Sequence, residues 1–137
     1  MKTFKLKMLE IVDYDAEQYE TKKIPLIDGL IINREDKNNN WLIEAYMEHE
    51  FESFFKELET KHEELILHVK ITTELNDKAT CLTRILSINK IGEKMNVLFL
   101  GNMIDQRTPQ LEAYLEELII EGNQGEELLE KFKEKIL

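Results

Sequence analysis

Two of the three histidines are followed by glutamate, the way a zinc-hydrolase helix begins: His49-Glu50-Phe51-Glu52-Ser53 and His62-Glu63-Glu64-Leu65-Ile66. That chemistry needs a second imidazole at the fifth position, one helical turn on, so that both rings face one ion. Ser53 and Ile66 stand there instead, and neither segment can build the site. A looser set of His49, His62 and neighbouring carboxylates is the remaining metal candidate, but solvated loop and helix residues account for it better. His68 falls on the polar face of a predicted strand and reads as surface. Cys81, the single cysteine, lies in a predicted strand without a neighbouring base to lower its pKa, the pattern of a buried, inert thiol. The glycines at 29, 92, 101, 122 and 125 form neither a phosphate loop nor a dinucleotide fingerprint. Asp28, Asp36, Asp77 and Asp105 fall in or beside predicted turns, where spacing singles out no acid–base pair. The expectation is no catalytic residue, no cofactor and no metal.

The elements that would position these groups change character at Thr108. Before it, short β-type runs are separated by turn residues. Phe4, Leu6 and Met8 alternate, then Leu9 and Ile11 take the opposite phase, which predicts a strand with a bulge near Met8-Leu9. Ile24 to Ile27, Asp28-Gly29 and Leu30 to Ile32 read as a hairpin closed by a type I′ turn, with Pro25 holding its first strand to an edge or bulge. Further strands are predicted at 41–47, 65–72, 80–89 and 94–104. Phe51, Phe54, Phe55 and Leu58, at i, i+3, i+4 and i+7, predict a short helix near 49–60. With Trp41 and Tyr46 these phenylalanines make the densest aromatic stretch, favoured as core over ligand pocket. Both faces of 41–47 and 94–104 are apolar, so both need cover. A closed or nearly closed antiparallel barrel hides one face, and helices can cover part of the other.

From Thr108 onward apolar residues recur at helical spacing, first Leu111, Tyr114, Leu115, Leu118 and Ile119, then Leu128, Leu129, Phe132 and Ile136. Gly122-Asn123-Gln124-Gly125 splits them into an antiparallel hairpin. Thr108 reads as the N-cap, Pro109 as N1 and Gly122 as C′. Helices this short do not persist alone in water, so Leu111, Leu115, Leu118, Leu129 and Phe132 are the candidate packing or interaction surface. The expected fold is mainly β with α: a barrel core over residues 1–105 and a helix pair over 108–137.

The chain of 137 residues holds 28 acids against 18 bases, a net charge of −10, and residues 108–137 alone carry eight Glu and three Lys, a net of −5. Nucleic-acid binding draws on Lys and Arg at phosphates, so this balance argues against it. A lone cysteine cannot form an intramolecular disulfide. Met1 to Lys7 alternates where a signal peptide would need a continuous apolar run, and no window approaches the roughly 20 apolar residues of a membrane span. A soluble cytoplasmic protein is expected.

Read end to end, the chain resembles the YwpF-like family of small Gram-positive bacterial proteins. The residues that carry the likeness are Met1-Lys2-Thr3-Phe4-Lys5-Leu6, Leu26-Ile27-Asp28-Gly29-Leu30, Trp41 to Leu58, and Glu126-Glu127-Leu128-Leu129-Glu130-Lys131-Phe132. The resemblance implies a β-barrel core similar in shape to the tube-forming protein of type VI secretion systems, with a C-terminal helix pair, and it supplies no catalytic or binding residues. Shape alone does not imply function. Leu111 to Leu137 also resembles the short C-terminal helical hairpins called SHOCT domains through Phe132-Lys133-Glu134-Lys135-Ile136-Leu137, although Asn123-Gln124-Gly125 departs from that pattern.

These readings lead to a non-enzymatic interaction or structural protein that presents a barrel surface and a helix pair to a protein partner or to itself. The alternative is a small-molecule or peptide binder using the barrel mouth or the aromatic stretch 41–55.

Overall fold

Ile43, Ala45 and Met47 of one strand stand opposite Phe99, Val97 and Met95 of its antiparallel neighbour, and all six are fully buried. This alternation sets the architecture. In a computed structural model that describes residues 1–136, the strands are β1 (Lys2–Asp13), β2 (Glu20–Lys23), β3 (Asp28–Asn33), β4 (Trp41–Glu48), β5 (Leu65–Ile71), β6 (Ala79–Ile91) and β7 (Lys94–Met103). Helix α1 (Glu52–Lys61) follows a 3-10 turn at His49–Phe51, and α2 (Thr108–Ile120) and α3 (Gly125–Ile136) close the chain. Six strands form a closed antiparallel barrel in the order β1-β3-β4-β7-β6-β5, with β5 pairing back onto β1.

Strand β1 serves three neighbours. Lys2 to Lys5 pair with β3, Leu6 to Ile11 with β5, and Glu10 to Asp13 with the short β2. The ladder to β5 shifts register between Leu6 and Met8, the bulge expected from the phase change, one step earlier in the chain. The barrel interior is filled by side chains, and Phe55 of α1 closes one end, 6.0 Å from the Phe99 ring.

The expected hairpin at residues 24–32 is not formed. Asp28 and Gly29 lie inside β3, paired with Tyr46 and Ala45. Gly29 is required there for space, because a Cβ would stand 2.9 Å from Leu6 Cβ and 3.1 Å from the Glu44 carbonyl oxygen. Residues 24–27 bridge instead, with Ile24 N–H donating to Leu9 O and Ile27 N–H to Tyr46 O.

The helix pair packs outside the barrel in a second apolar layer. Leu111, Leu115, Leu118, Leu128, Leu129 and Phe132 bury themselves with Val12, Tyr14 and Ile66. The pair therefore covers β1 and β5, while Leu42, Leu98 and Leu100 on the outer face of β4 and β7 stay half-buried. Gly122 adopts φ +95° at the end of α2, as a C′ glycine does. Thr108 is not the N-cap: Arg107 occupies that position, and the Thr108 hydroxyl is spent elsewhere. Among the described residues no helix is long and apolar enough to cross a membrane.

Candidate functional site

The five candidate surface residues, Leu111, Leu115, Leu118, Leu129 and Phe132, come together as one patch, and all are buried in the seam between helix pair and barrel. Leu137, the last residue of the hairpin-like ending, lies outside the described residues. What remains exposed on α2 is Pro109, Gln110, Ala113, Glu116, Glu117 and Ile120, with Ile120 85% exposed.

His68 is not on the surface; it is 0% exposed. Its strand is covered on both faces, because α2 and the segment between β1 and β2 lie over the side that alternation marks as polar. Its ring sits in a chain of hydroxyls. Nε2 is 2.7 Å from the Tyr19 hydroxyl and Nδ1 is 3.2 Å from Thr80 Oγ1, which is 2.8 Å from Thr108 Oγ1. Thr108 donates to the Lys78 carbonyl at 2.8 Å. That last bond fixes the direction of the two before it by counting protons. With its single proton committed to Lys78, Thr108 must accept from Thr80, so Thr80 must accept from Nδ1–H. His68 is thus protonated on Nδ1. Burial pushes its pKa down to about 4, with Lys78 working in the same direction and Glu10 against it. Burial, then the Glu112 carboxylate, keeps the Tyr19 phenol protonated far above its usual range.

A second polar cluster joins α3 to the barrel. His62, 91% buried because its side chain is 9% exposed, directs Nε2 at Asp15 Oδ2 (2.5 Å) and Nδ1 toward Glu126 Oε1 (3.5 Å). Nδ1 itself has no hydrogen-bond partner. The ring lies 4.6 Å from that of Tyr14, whose hydroxyl donates to Glu64 O at 2.7 Å and whose carbonyl accepts Gly125 N–H at 2.9 Å. Burial first, then Glu126, Asp15 and Glu64, raises the Tyr14 pKa. Lys133 adds an ion pair to Glu64. Beside this cluster opens a cleft of about 240 Å³ walled by Ile11, Leu65, Phe54 and Leu58, with Lys22 and Lys61 at its rim. Sequence reading missed both clusters, since their members lie tens of residues apart and only the sheet register brings them together.

The other chemistry candidates stay apart or inert. His49 pairs with Glu52 at 3.2 Å, at the opposite end of α1 from His62. Among the described residues no group of three or more His, Cys, Asp or Glu side chains is placed to hold a metal ion. The Cys81 thiol is buried, and burial pushes its pKa up to about 12. Asp28 lies in β3, where the Gly29 N–H and then Lys5 lower its pKa. Asp36 organises the 34–40 loop by accepting from Asn38 and Asn40 N–H. Trp41 stacks on Phe4 at 6.3 Å and Phe54 meets Phe55 edge-on at 5.1 Å, so the aromatic stretch is largely core.

These features define a small filled antiparallel barrel with a helix pair clasped to its outer face by two histidine-centred clusters. The family described as "YwpF-like protein" matches residues 2–135, and the chain belongs to it. It is similar to "Uncharacterized protein YwpF" of Bacillus subtilis (strain 168), 41% identical over 136 residues, covering 99% of this chain and 100% of that one. A crystal structure of a hypothetical protein from Staphylococcus aureus is similar in fold, with a TM-score of 0.70 and 33% identity, covering 97% of this chain and 91% of that one.

Proposed function

We propose that the protein is a non-enzymatic, cytoplasmic interaction module that offers the outer surface of its barrel and helix pair to a protein partner. The carrying observation is the filled interior: Leu9, Ile31, Ile43, Met47, Phe55, Val97 and Phe99 leave no lumen, so recognition falls to the outside. On that outside, Ile120 projects beside Glu116 and Glu117, an apolar tip set among acids. Native mass spectrometry of the chain taken directly from its source-cell extract tests this. A stoichiometric complex with a second protein is expected, and an uncomplexed monomer throughout would sink the reading.

The cleft beside α1 favours one second reading. Its apolar walls and volume of about 240 Å³ suit a small molecule seated against Phe54. A reproducible low-mass adduct in the same spectra, lost on Leu58→Trp, would support it.

A further inference from the structure

The cleft beside α1 already holds a cation against an aromatic wall. In the β1–β2 ladder Ile11 stands opposite Lys22, and Asp13, two residues on, points to the same side of the ribbon. These three line the cleft from the barrel side, and Phe54 and Leu58, one turn apart on α1, form the other wall. The Lys22 ammonium lies 5.0 Å from the Phe54 ring centroid. The chain has thus laid one of its own side chains where the face of a ring attracts positive charge, in a cleft that Asp13 and Asp15 also line. We propose that this cleft binds a small organic ammonium ion, whose cationic head replaces Lys22 on Phe54 beside Asp13 and Asp15 and whose apolar body lies against Leu58 and Leu65. The assignment rests on the cleft taking a small molecule at all.

Charge decides between such an ion and an anion. Two lysines at the rim would suit a carboxylate if both were free, but Lys61 is paired with Glu57 at 2.9 Å. Its ammonium is held protonated above the usual lysine range, by Glu57 first and then by Asp15 and Asp13. Tyr14, on the cleft wall, feels the same sign: after burial, Glu126, Asp15 and Glu64 raise its phenol. With Lys22 swung out, Asp13, Asp15 and Glu57 would face Lys61 as the one remaining lysine of the lining. An anion entering there meets negative charge, whereas an ammonium restores what Lys22 now supplies. Withdrawal costs little, because all four residues of β2 are exposed and, among the described residues, Lys22 has no ion pair to break. A bare metal ion fits less well, since among the described residues no three His, Cys, Asp or Glu side chains are placed to hold one.

The test titrates the full chain with three soluble probes of similar shape, phenethylammonium, neutral phenethyl alcohol and anionic hydrocinnamate, and follows the Leu58 and Leu65 methyl signals by NMR. The ammonium is expected to bind roughly fivefold more tightly than the alcohol, the scale of one half-exposed cation–π contact, with the carboxylate weakest. Lys22→Ala should tighten the ammonium roughly fivefold by removing its competitor, and Phe54→Leu, which keeps the apolar wall but not the ring, should weaken it by about the same factor. Alcohol or carboxylate binding as tightly as the ammonium overturns the proposal while leaving the cleft a small-molecule site, and so does Lys22→Ala failing to tighten the ammonium. No movement of the Leu58 and Leu65 methyls with any probe at millimolar concentration removes the proposal and the small-molecule reading together. The comparison of probes is made on the wild type, so it decides even if Phe54→Leu folds poorly.

Discussion

His68 is the residue whose environment most limits its chemistry. Its neutral state is enforced first by burial, so acid should attack the fold here. In the unfolded chain the imidazole takes a proton below about 6.5, while in the folded protein it waits until about 4. The depressed value means that its stabilising contribution is complete above the unfolded value and is lost as pH falls toward 4, a total of about 3 kcal/mol. Urea midpoints should therefore decline more steeply between pH 7 and 4.5 in the wild type than in His68→Gln. Equal slopes would mean the ring is already charged when folded. Thr72 offers a change in the other direction. It adopts φ +73°, rare for a β-branched residue. Thr72→Asn, which tolerates that region, should raise stability by up to about 1 kcal/mol; a lower denaturation midpoint would refute this.

At the scale of elements, β6 and β7 cross so closely that one glycine decides the pairing. A Cβ at Gly101 would lie 2.1 Å from the Leu82 carbonyl oxygen and 2.6 Å from Thr83 Cα, both backbone atoms that cannot step aside. Gly101→Ala should cost about 2–3 kcal/mol through forced strand displacement, seen as a lower thermal midpoint; an unchanged midpoint would show that the strands separate freely there. The helix pair gives a different expectation, because its own helices are short and Leu118 is buried in the seam. Leu118→Asp removes a side chain worth about 1.5–3 kcal/mol and buries a charge, and it should free the hairpin while leaving the barrel folded. Limited proteolysis with circular dichroism reads this as cleavage near 105–109, lost helix signal and a stable β fragment. Global unfolding of the variant would instead make the helices part of one core. The elements also show what could be read without coordinates. Alternation located β4, β5, β6 and β7, and helical spacing located α1, α2 and α3, because each buries a face at its own period. Asp28-Gly29 misled because glycine serves close approach as well as positive φ, and Thr108 misled because its hydroxyl bonds Lys78 and Thr80, far away in sequence. His68 misled because alternation reports one covered face, whereas β5 is covered on both. The five seam residues were legible from spacing; the histidine clusters were not, being assembled only by sheet register.

For the molecule as a whole, charge separates two kinds of association that the shape permits equally. The net charge is −10, and half of it lies on the helical tail, where the exposed positions of α2 and α3 include Glu116, Glu117, Glu127, Glu130 and Glu134. Two copies meeting through that surface bring like charges together, a repulsion that acts over about 10 Å at 0.1 M salt and more at lower ionic strength. A basic partner meeting the same surface gains from the identical field. The two cases respond to salt with opposite sign. Sedimentation velocity of the isolated chain should show a monomer at low salt, with any self-association growing only as salt is added. A complex with a basic partner should weaken over the same range, and Glu116→Lys with Glu117→Lys should weaken it further while easing self-contact. A dimer already present at low salt and insensitive to those reversals would place self-association on an apolar surface away from the tail. The half-buried Leu42, Leu98 and Leu100 on the uncovered side of the barrel would then be the region to mutate next.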